Sequence, residues 1–286
     1  MTLRDFLRRA LSRLSPIFPD KVYLTLLFNL KEGGYRMNLG NPRTFNEKLN
    51  WLKLHDHNPL YNMLADKYEV KRYVSEKVGA QYVVPCYGVW ENPKEIDFYA
   101  LPDKFVLKTT HNSGGVVVCK DKSTFDISAA NAFLQANVRR NYYPLGREWA
   151  YKDIKPRVLA DKYIENTGRD ELLDYKFWCF DGEPKYVYCT VKNSDIFENF
   201  YDIEFNPVDI DHGFRRAVPE FQKPSGYDEM LMLARKLSEG IPFVRIDFFE
   251  AGGHVYFGEF TFYDWGGLRP FANLRMDEEL GHLIKI

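Results

Sequence analysis

Two dipeptide turns in the C-terminal half of the chain constrain its fold more than any other feature. Each separates two strand-like runs: Asp181-Gly182 lies between 172–180 and 185–191, and Gly252-Gly253 lies between 243–249 and 254–262. Asp-Gly and Gly-Gly pairs readily adopt the positive φ angles of a two-residue hairpin turn, so each predicts two antiparallel strands. A chain with two such hairpins must build antiparallel or mixed sheets.

Helical and further extended segments surround these hairpins. Apolar residues recur at helical spacing over 44–54, 60–78, 126–140 and 227–239. Strands are predicted at 104–109, 115–119 and 158–164, whereas the turn-rich segment 194–226 predicts an irregular surface excursion. Helices interleaved with hairpins are typical of the α+β class.

The charge balance excludes one broad class of function. Among 286 residues, 39 are Lys or Arg and 40 are Asp or Glu, which gives a net charge of −1. A dedicated nucleic-acid-binding protein normally has a basic excess, so we expect no nucleic-acid partner. The length favours roughly two domains.

The N-terminus predicts a basic amphipathic helix. Apolar residues recur at helical spacing and arginines occupy the other faces, as in Leu3, Phe6, Leu7, Ala10, Leu11 and Leu14 against Arg4, Arg8, Arg9 and Arg13. The short apolar side favours docking on the protein's own core. The alternative is a weak association with a membrane surface.

The cellular compartment is predicted from the absence of targeting and membrane-spanning segments. It shows no signal peptide and no apolar run long enough to cross a bilayer. The four cysteines form no C-x-x-C pair and are interpreted as reduced, buried thiols: Cys86, Cys119, Cys179 and Cys189. We therefore expect a cytoplasmic protein, with the inner face of the membrane as an alternative.

The second hairpin carries two acids within strongly apolar strands. Asp247 and Glu259 are 12 positions apart, and the Gly-Gly turn brings 247 within one residue of facing 259. Facing residues have Cβ atoms about 5 Å apart, so the two carboxylates repel unless a cation lies between them. Mg²⁺ is usually held by one or two carboxylates together with substrate phosphates. The pair predicts a magnesium site, and the alternative is two solvent-facing acids.

The segment 110–115 is a candidate phosphate-binding loop. It joins two short strands, follows Lys108, and contains small polar residues and two glycines whose N–H groups can approach a phosphate. It has no large apolar side chain, so we expect it to be mobile until nucleotide binds. Valine at Gly114 or Gly115 is then expected to impair catalysis more than stability. An ordinary flexible loop is equally compatible with this composition.

Common nucleotide-binding signatures are missing. The sequence has neither the G-x-x-x-x-G-K-[ST] loop nor the G-x-G-x-x-G fingerprint. The ordered set of remaining segments nevertheless resembles the ATP-grasp superfamily over roughly residues 60–270. The segments that carry this resemblance are ADKYEVKRYVSEKVGAQYVVP, KFVLKTTHNSGGVVVCKDKS, VLADKYI and FVRIDFF…YFGEFTFYDWGG.

A narrower resemblance is to the TupA-like branch of that superfamily, which is associated with bacterial surface polysaccharides such as teichuronopeptide. It is carried by NPRTFNEKLNWLKL, KTTHNSGG, DYKFWCFDGEPKYV and GEFTFYDWGG. The resemblance implies two α+β subdomains that clamp ATP, preceded by a helical region. The implied boundaries are 1–100 for the helical region and opening segment, 101–165 for the small subdomain and 166–286 for the C-terminal subdomain.

The resemblance also implies roles for individual residues. Lys67 and Lys108 would contact the ATP phosphates. The flap would comprise His111, Asn112, Ser113, Gly114 and Gly115. The adenine pocket would be lined by Asp161, Lys162, Tyr163 and Ile164, with Asp161 in place of the usual Glu. Asp247 and Glu259 would hold Mg²⁺, and Thr261 stands where the family usually has Asn.

Four further residues are candidates on weaker grounds. Asp174 and Lys176 share one face of a strand and would contact ribose, phosphate or substrate, or else form a surface ion pair. Arg245 and Arg269 would bind the acceptor carboxylate or the transferring phosphate, because a guanidinium binds either in a bidentate manner. Either arginine could equally be structural.

The implied activity is that of an ATP-dependent carboxylate–amine ligase that forms an acyl phosphate, joins an amino acid to a uronic acid unit and releases ADP. ATP and Mg²⁺ would be the cofactors, and a carboxylate and an amine the substrates. One rival function is a glycosyltransferase that uses the D-x-D tripeptide Asp209-Ile210-Asp211. A non-catalytic scaffold is the other.

Overall fold

The structure is a computed structural model, and it describes residues 11–12, 14–30, 35–165, 172–192, 196–269 and 271–286. Eight α-helices are assigned within these ranges: α1 Asp20–Asn29, α2 Phe45–His55, α3 Leu60–Ala65, α4 Glu69–Lys77, α5 Ile127–Val138, α6 Tyr143–Gly146, α7 Tyr227–Ser238 and α8 Leu274–His282. Ten strands accompany them: β1 Cys86–Trp90, β2 Phe105–Thr109, β3 Val116–Cys119, β4 Val158–Lys162, β5 Asp174–Phe180, β6 Glu183–Lys192, β7 Ile196–Asp202, β8 Pro207–Val208, β9 Phe243–Ala251 and β10 His254–Thr261.

The strands form two antiparallel sheets, which confirms the predicted α+β class. The small sheet has the order β1-β4-β2-β3, and the large sheet has the order β10-β9-β5-β6-β7-β8. Both predicted hairpin turns are present. Asp181 and Gly182 have φ angles of 51° and 80°, and Gly252 and Gly253 have φ angles of 60° and 76°.

The predicted helix 60–78 is in fact two helices, α3 and α4. The side chain of Asp66 accepts hydrogen bonds from the backbone N–H groups of Tyr68 at 2.8 Å and Glu69 at 3.3 Å. These bonds satisfy the free donors at a helix start, so the chain begins a second helix there. Lys67 therefore lies in the break between the two helices.

The segment 194–226 is not wholly irregular, because strand β7 lies within it. β7 pairs with the free edge of β6 over its full length. Its polar residues bind the following segment: Asn199 accepts from the N–H of Ala217 at 2.7 Å, and the N–H of Glu198 donates to the carbonyl of Arg215 at 2.9 Å. Because these polar residues interrupt the apolar alternation that is typical of strands, a prediction from that pattern misses β7.

Each sheet has one face in a hydrophobic core. In the small sheet Phe105, Leu107 and Ala160 pack with Leu134 of α5. In the large sheet Phe177, Ile246 and Phe248 pack with the apolar face of α7. The opposite face of the large sheet is partly covered by α2, where the Phe45 ring stacks on Trp178 with centroids 5.0 Å apart.

The segment predicted as a separate N-terminal region divides between the two sheets. Helices α2, α3 and α4 contribute to the core of the large sheet, whereas β1 pairs with β4 of the small sheet. The small sheet therefore starts at Cys86 and not after residue 100, because hydrogen bonding to β4 determines where β1 belongs.

The predicted N-terminal helix falls almost entirely outside the described residues. Leu11, which is described, is buried in a cluster with Tyr23 and Leu24 of α1. Within the described part of the chain, no helix combines the length and apolar character needed to cross a bilayer. All four cysteines are free thiols, and Cys86 is exposed where a buried position was expected.

Candidate active site

A cavity of about 960 Å³ is lined by both sheets. The small sheet and its edge contribute Val118 and Tyr163, and the large sheet contributes Thr190, Arg245 and Glu259, among others. A smaller cavity of about 280 Å³ adjoins it, since Asp174, Lys176 and Glu259 line both. Most of the residues predicted to form the site lie around these two cavities.

The small sheet presents cations to the smaller cavity. Residues alternate along β2 and β4, so that Leu107 and Ala160 enter the core while Lys108 and Asp161 point to the other face. Asp161 is buried and binds two lysines, Lys108 at 3.0 Å and Lys71 at 2.8 Å. Asp161, which the resemblance placed beside adenine, is therefore an anchor for two cations in the smaller cavity.

The remaining candidates for the adenine pocket separate from Asp161. Tyr163 and Ile164 line the larger cavity. The side chain of Lys162 is exposed and lines neither cavity, while its N–H donates to the carbonyl of Pro85 at 2.8 Å. Of this segment, Tyr163 and Ile164 are placed to contact a ligand in the larger cavity.

Lys67 connects the helix break to the candidate phosphate-binding loop. Its Nζ donates to the carbonyl of Asn112 at 2.7 Å and its N–H to the carbonyl of Thr110 at 3.1 Å. Burial lowers the pKa of Lys67, and the nearby Lys108 adds to this effect. A phosphate would supply Lys67 with the counter-charge that favours its protonated form.

The loop is anchored at its base and open at its tip. His111 and Asn112 are buried, and they bind the carbonyls of Arg140 at 3.2 Å and Asn137 at 3.1 Å respectively. Only Ser113 and Gly114 are exposed. Polar side chains thus anchor a loop that contains no large apolar one, and the room for movement is confined to its tip.

Gly114 and Gly115 differ in what surrounds them. A Cβ atom added at Gly114 would meet nothing within 4 Å, although its φ of +84° is strained for other residues. A Cβ atom at Gly115 would lie 1.8 Å from Oγ1 of Thr109. Valine at Gly115 is therefore expected to lower stability as well as catalysis, whereas at Gly114 the strain comes from the backbone alone.

Arg245 is the centre of the large-sheet face. Its guanidinium binds Asp247 through Nε at 2.7 Å, Glu259 through Nη2 at 3.0 Å and Asp264 through Nη1 at 2.6 Å. Nη1 also donates to the hydroxyl of Tyr188 at 3.1 Å. The predicted cation between Asp247 and Glu259 is, in this structure, the side chain of Arg245.

A strand irregularity sets the spacing of the two acids. Phe257 faces Phe248 and Phe260 faces Ile246, so Gly258 and Glu259 together oppose Asp247. A Cβ atom at Gly258 would lie 3.0 Å from the Asp247 carbonyl oxygen, which explains a glycine there. The bulge accounts for the one-residue offset expected from the sequence.

Lys176 lies between two carboxylates on the same face. Its Nζ is 3.0 Å from Asp174 and 2.9 Å from Asp247. Burial opposes the charge of Lys176, but the attraction of Asp247 and Asp174 outweighs it and raises the pKa of the amine. Burial likewise opposes the charge of Asp247, and Arg245 and Lys176 together lower its pKa. Both groups are therefore charged at neutral pH.

The acids fit Mg²⁺ unequally. The side chain of Glu259 is 40% exposed and lines both cavities, whereas Asp247 is 6% exposed and both its oxygens bind Arg245 or Lys176. The Thr261 hydroxyl donates to Glu259 at 3.4 Å and also lines the larger cavity. No group of three or more acids, histidines or cysteines suited to a metal occurs in the described ranges. This donor set fits an ion whose other ligands come from substrate phosphates, with Glu259 as the most accessible protein ligand.

The sequence matches the model of the TupA-like ATP-grasp family over residues 47–285. This chain belongs to the TupA-like ATP-grasp family. The expected ATP-grasp fold is thereby confirmed, and the chain is placed among ATP-grasp enzymes. No curated protein matches it.

Three solved structures illustrate the similarity. D-alanine–D-alanine ligase from Bacillus anthracis, complexed with ATP, is 15% identical with a TM-score of 0.41, over 70% of this chain and 55% of that one. The same ligase from Helicobacter pylori is 15% identical with a TM-score of 0.43, over 84% and 69%. The D-cycloserine synthetase DcsG is 17% identical with a TM-score of 0.41, over 79% and 70%. The chain thus spans 55% of the first of these proteins, and the family assignment rests on the family model.

Arg269 and the D-x-D tripeptide lie apart from the ATP-grasp cavities. The Arg269 guanidinium stacks on Phe214 at 3.7 Å and on Trp265 at 5.0 Å, and its Nε donates to the His212 carbonyl at 2.6 Å. Asp209 is exposed and pairs with Arg216. Arg269, Asp209 and Asp211 are absent from the lining of either cavity as far as the chain is described.

Several residues of the site escaped the sequence analysis. Lys71 follows Lys67 by four positions, a helical spacing that could have suggested it. Asp264 lies inside the GEFTFYDWGG segment of the TupA-like resemblance, but nothing local showed that it would be buried against Arg245. Nothing in the sequence around Tyr188 or Glu148 indicated a role in the site, because only the tertiary structure brings them to the cavity.

Proposed function

We propose that this TupA-like ATP-grasp protein is an ADP-forming carboxylate–amine ligase that binds Mg-ATP between its two sheets. The observation that carries the proposal is the arrangement of charge. Four lysines, at 67, 71, 108 and 176, line the smaller cavity together with four carboxylates, at 161, 174, 247 and 259. The larger cavity opens beside them and is big enough for a nucleotide base and a second substrate.

In this proposal the side chains position groups and screen charge. Lys67 and Lys108 neutralise the ATP phosphates, and the N–H groups at the loop tip approach them. Tyr163 and Ile164 contact the base from the small-sheet side. Glu259, with Asp247 and Thr261, would hold Mg²⁺, which would screen the charge of the transferring phosphoryl group.

The reaction proceeds in two balanced steps. A carboxylate oxygen takes the γ-phosphoryl group, and ADP leaves. The amine nitrogen then attacks the carbonyl carbon, the carbon–oxygen bond to phosphate breaks, and phosphate and a proton are released. No nucleophilic side chain is needed, which agrees with buried Cys179 and Cys189, because burial raises the pKa of both thiols and keeps them protonated.

For the substrates, we propose a uronic acid unit and an amino acid in bacterial surface polysaccharide synthesis. Family membership supports the polysaccharide setting. The volume of the larger cavity, about 960 Å³, leaves room for a ring-shaped substrate beside the nucleotide. We propose a cytoplasmic location, with the inner face of the membrane as its alternative through the N-terminal helix.

A two-part experiment tests the proposal. Calorimetry is expected to show binding of Mg-ATP in preference to UDP-sugars. A screen of uronic acids with amino acids is then expected to show ADP release that depends on both substrates. Lys236→Met, an exposed change on α7, serves as the control variant and is expected to behave as the wild type. Tight binding of a UDP-sugar without ATP binding would refute the ligase and favour a glycosyltransferase.

A further inference from the structure

The larger cavity has a wall that the nucleotide does not use in the proposed function. This wall comes from the segment between α6 and β4 and from the turn after β10. It is lined by Tyr142, Glu148, Tyr151, Tyr263 and Trp265. Three tyrosines and a tryptophan thus line the same wall as one carboxylate.

We propose that Glu148 and the aromatic side chains around it form the site for the amine co-substrate, and that Glu148 accepts the proton released by the attacking nitrogen. This inference rests on the proposed ligase function. It assigns a residue and a chemical class, a cationic amine, to a part of the cavity that the resemblance left without a role.

The position of Glu148 is held from both sides. Its neighbour Arg147 is buried and pairs with Asp20 of α1 at 2.8 Å. On the other side, the amide of Asn62 in α3 donates to the carbonyls of Trp149 at 2.8 Å and Lys152 at 2.6 Å. A segment tied to two helices presents its side chain in one place, as a binding group requires.

Two glycines make room for the Glu148 carboxylate at the cavity wall. A Cβ atom added at Gly146 would lie 2.8 Å from Oε1 of Glu148, and one added at Gly266 would lie 3.4 Å from it. Gly266 belongs to the turn that directly follows Asp264 and Trp265. The carboxylate therefore lies beside the turn that follows the hairpin carrying Glu259, in the same cavity as Glu259.

The aromatic neighbours suit a cation and leave Glu148 as the proton acceptor. Aromatic faces attract ammonium groups, most strongly where water is excluded. Burial raises the pKa of Tyr142 to about 12, and the Glu148 charge adds to this effect. Burial and Glu148 also raise the pKa of Tyr263. Both phenols therefore stay protonated at neutral pH.

The chemistry of amide formation requires such a group. An amine arrives as an ammonium ion, whose nitrogen has no free electron pair for attack. Glu148 first takes one proton from the ammonium ion, which frees the electron pair for attack, and passes that proton to solvent. The nitrogen loses its second proton as the carbon–oxygen bond breaks, and that proton leaves with phosphate. Glu259 is less suited to this task, because it also lines the smaller cavity among the lysines proposed to bind phosphate.

A binding experiment tests the site without turnover. The probes are benzylammonium and the uncharged benzyl alcohol, titrated into the full chain by calorimetry. The wild type is expected to bind benzylammonium about tenfold more tightly than benzyl alcohol. This ratio corresponds to the free energy of one hydrogen bond to a charged group. Glu148→Gln is expected to abolish this preference while ATP affinity stays at the wild-type value, which shows that the variant is folded.

The matched control is Glu279→Gln, which removes an exposed carboxylate on α8. It is expected to keep the tenfold preference. Equal affinity of the wild type for the two probes, or a preference that survives in Glu148→Gln, would overturn the inference.

A turnover experiment separates this inference from the ligase proposal. Hydroxylamine is uncharged at neutral pH, so its nitrogen can attack an acyl phosphate without first losing a proton. The proton released as the hydroxamate forms leaves with phosphate. With a uronic acid and ATP, Glu148→Gln is expected to form hydroxamate at the wild-type rate but to make amide with the amino acid at least tenfold more slowly. Glu148→Asp is expected to recover part of the amide rate.

Failure of the ligase proposal and failure of the amine-site inference would give different results in this experiment. A wild type that forms no ATP-dependent hydroxamate with any uronic or amino acid would refute the ligase and with it the reacting amine. A wild type that forms both products, with a Glu148→Gln variant that loses both equally or neither, would refute the amine site alone.

Discussion

The two faces that line the cavity differ in how far their side chains are buried. On the large sheet, the side chains of Arg245, Asp247 and Asp264 are at most 11% exposed and bind one another. On the small sheet, Val116 and Val118 are 43% and 46% exposed, and the side chain of Lys108 is 30% exposed. One face is part of the folded core, and the other is open and available to a ligand.

This difference indicates on which face of the cavity ligand binding and stability are coupled. A buried charge that loses its partner keeps its full desolvation cost, so changes in the large-sheet network should lower stability and activity together. Loss of a half-exposed cation on the small sheet, such as Lys108, should lower nucleotide affinity alone. The five predictions below test this contrast, from the largest expected effect to the smallest.

The largest effect is expected for Arg245→Met. It leaves the carboxylates of Asp247 and Asp264 buried without their shared partner, which should cost about 3–5 kcal/mol of the free energy of unfolding. Urea denaturation measures this, and Arg269→Met, outside the network, is the control with a smaller loss. A loss below about 1 kcal/mol for Arg245→Met would show that the network does not support the fold.

Glu259→Gln should separate activity from stability within the large sheet. Its side chain is 40% exposed, so the free energy of unfolding should change by less than about 1 kcal/mol. Loss of a metal ligand at the phosphoryl group should lower the rate of ADP release by about 10²–10³-fold. Glu279→Gln is the matched control. Near-normal ADP release from a folded Glu259→Gln variant would exclude this hairpin as the metal site.

Lys108→Met should weaken ATP binding without unfolding the protein. Asp161 would keep its bond to Lys71 at 2.8 Å, so no buried carboxylate is left alone. Loss of one charged contact to phosphate should weaken ATP binding by about 1.5–3 kcal/mol, or roughly 10–100-fold. Calorimetry with Lys236→Met as control measures this. A drop in melting temperature as large as that of Arg245→Met would show that the two faces contribute equally to stability.

The two loop glycines offer a smaller contrast within the small sheet. Gly115→Ala places a Cβ atom against Thr109 and should destabilise the protein by about 1–3 kcal/mol. Gly114→Ala meets open space but a φ of +84°, and should cost about 1 kcal/mol. Thermal unfolding ranks the two variants. If Gly114→Ala proved the more damaging, the loop base would not be the anchored part.

The smallest effect is a proton taken up when ATP binds. Burial lowers the pKa of Lys67, and a bound phosphate would raise it again, so at alkaline pH binding should take up a fraction of a proton. The pKa of Lys176 is already raised by Asp247 and Asp174 against the effect of burial, so it should contribute none. Calorimetry in buffers of different ionisation enthalpy measures the uptake. It should disappear in Lys67→Met, and uptake that persists there would point to another group.

The sequence predicts those parts of the candidate site that depend on neighbouring residues or on the order of the ATP-grasp segments. The loop after Lys108 and the close approach of Asp247 and Glu259 both follow from neighbouring residues. What the pair binds was not predictable. Arg245 is two residues from Asp247, yet its position between both acids and Asp264 depends on a turn 19 residues away.

The missed strand β7 and the misplaced small-sheet boundary have a related cause. Strand pairing depends on which edge is free, and β1 is 68 residues or more from its partner β4. Lys71 and Asp161 likewise meet across α4 and the small sheet. Pairings over such distances leave little trace in local composition.

By itself, the sequence determined the two hairpins, the α+β class and the order of the ATP-grasp segments. Each depends on backbone preferences or spacing within a few residues, such as the positive φ angles of Asp181-Gly182 and Gly252-Gly253. Only the tertiary structure decided that Arg245 neutralises the acid pair, that Asp161 binds two lysines and that Glu148 lies on the cavity wall. The physical reason is that a buried charge takes its partner from whichever element packs against it, and packing joins residues that are distant in the chain.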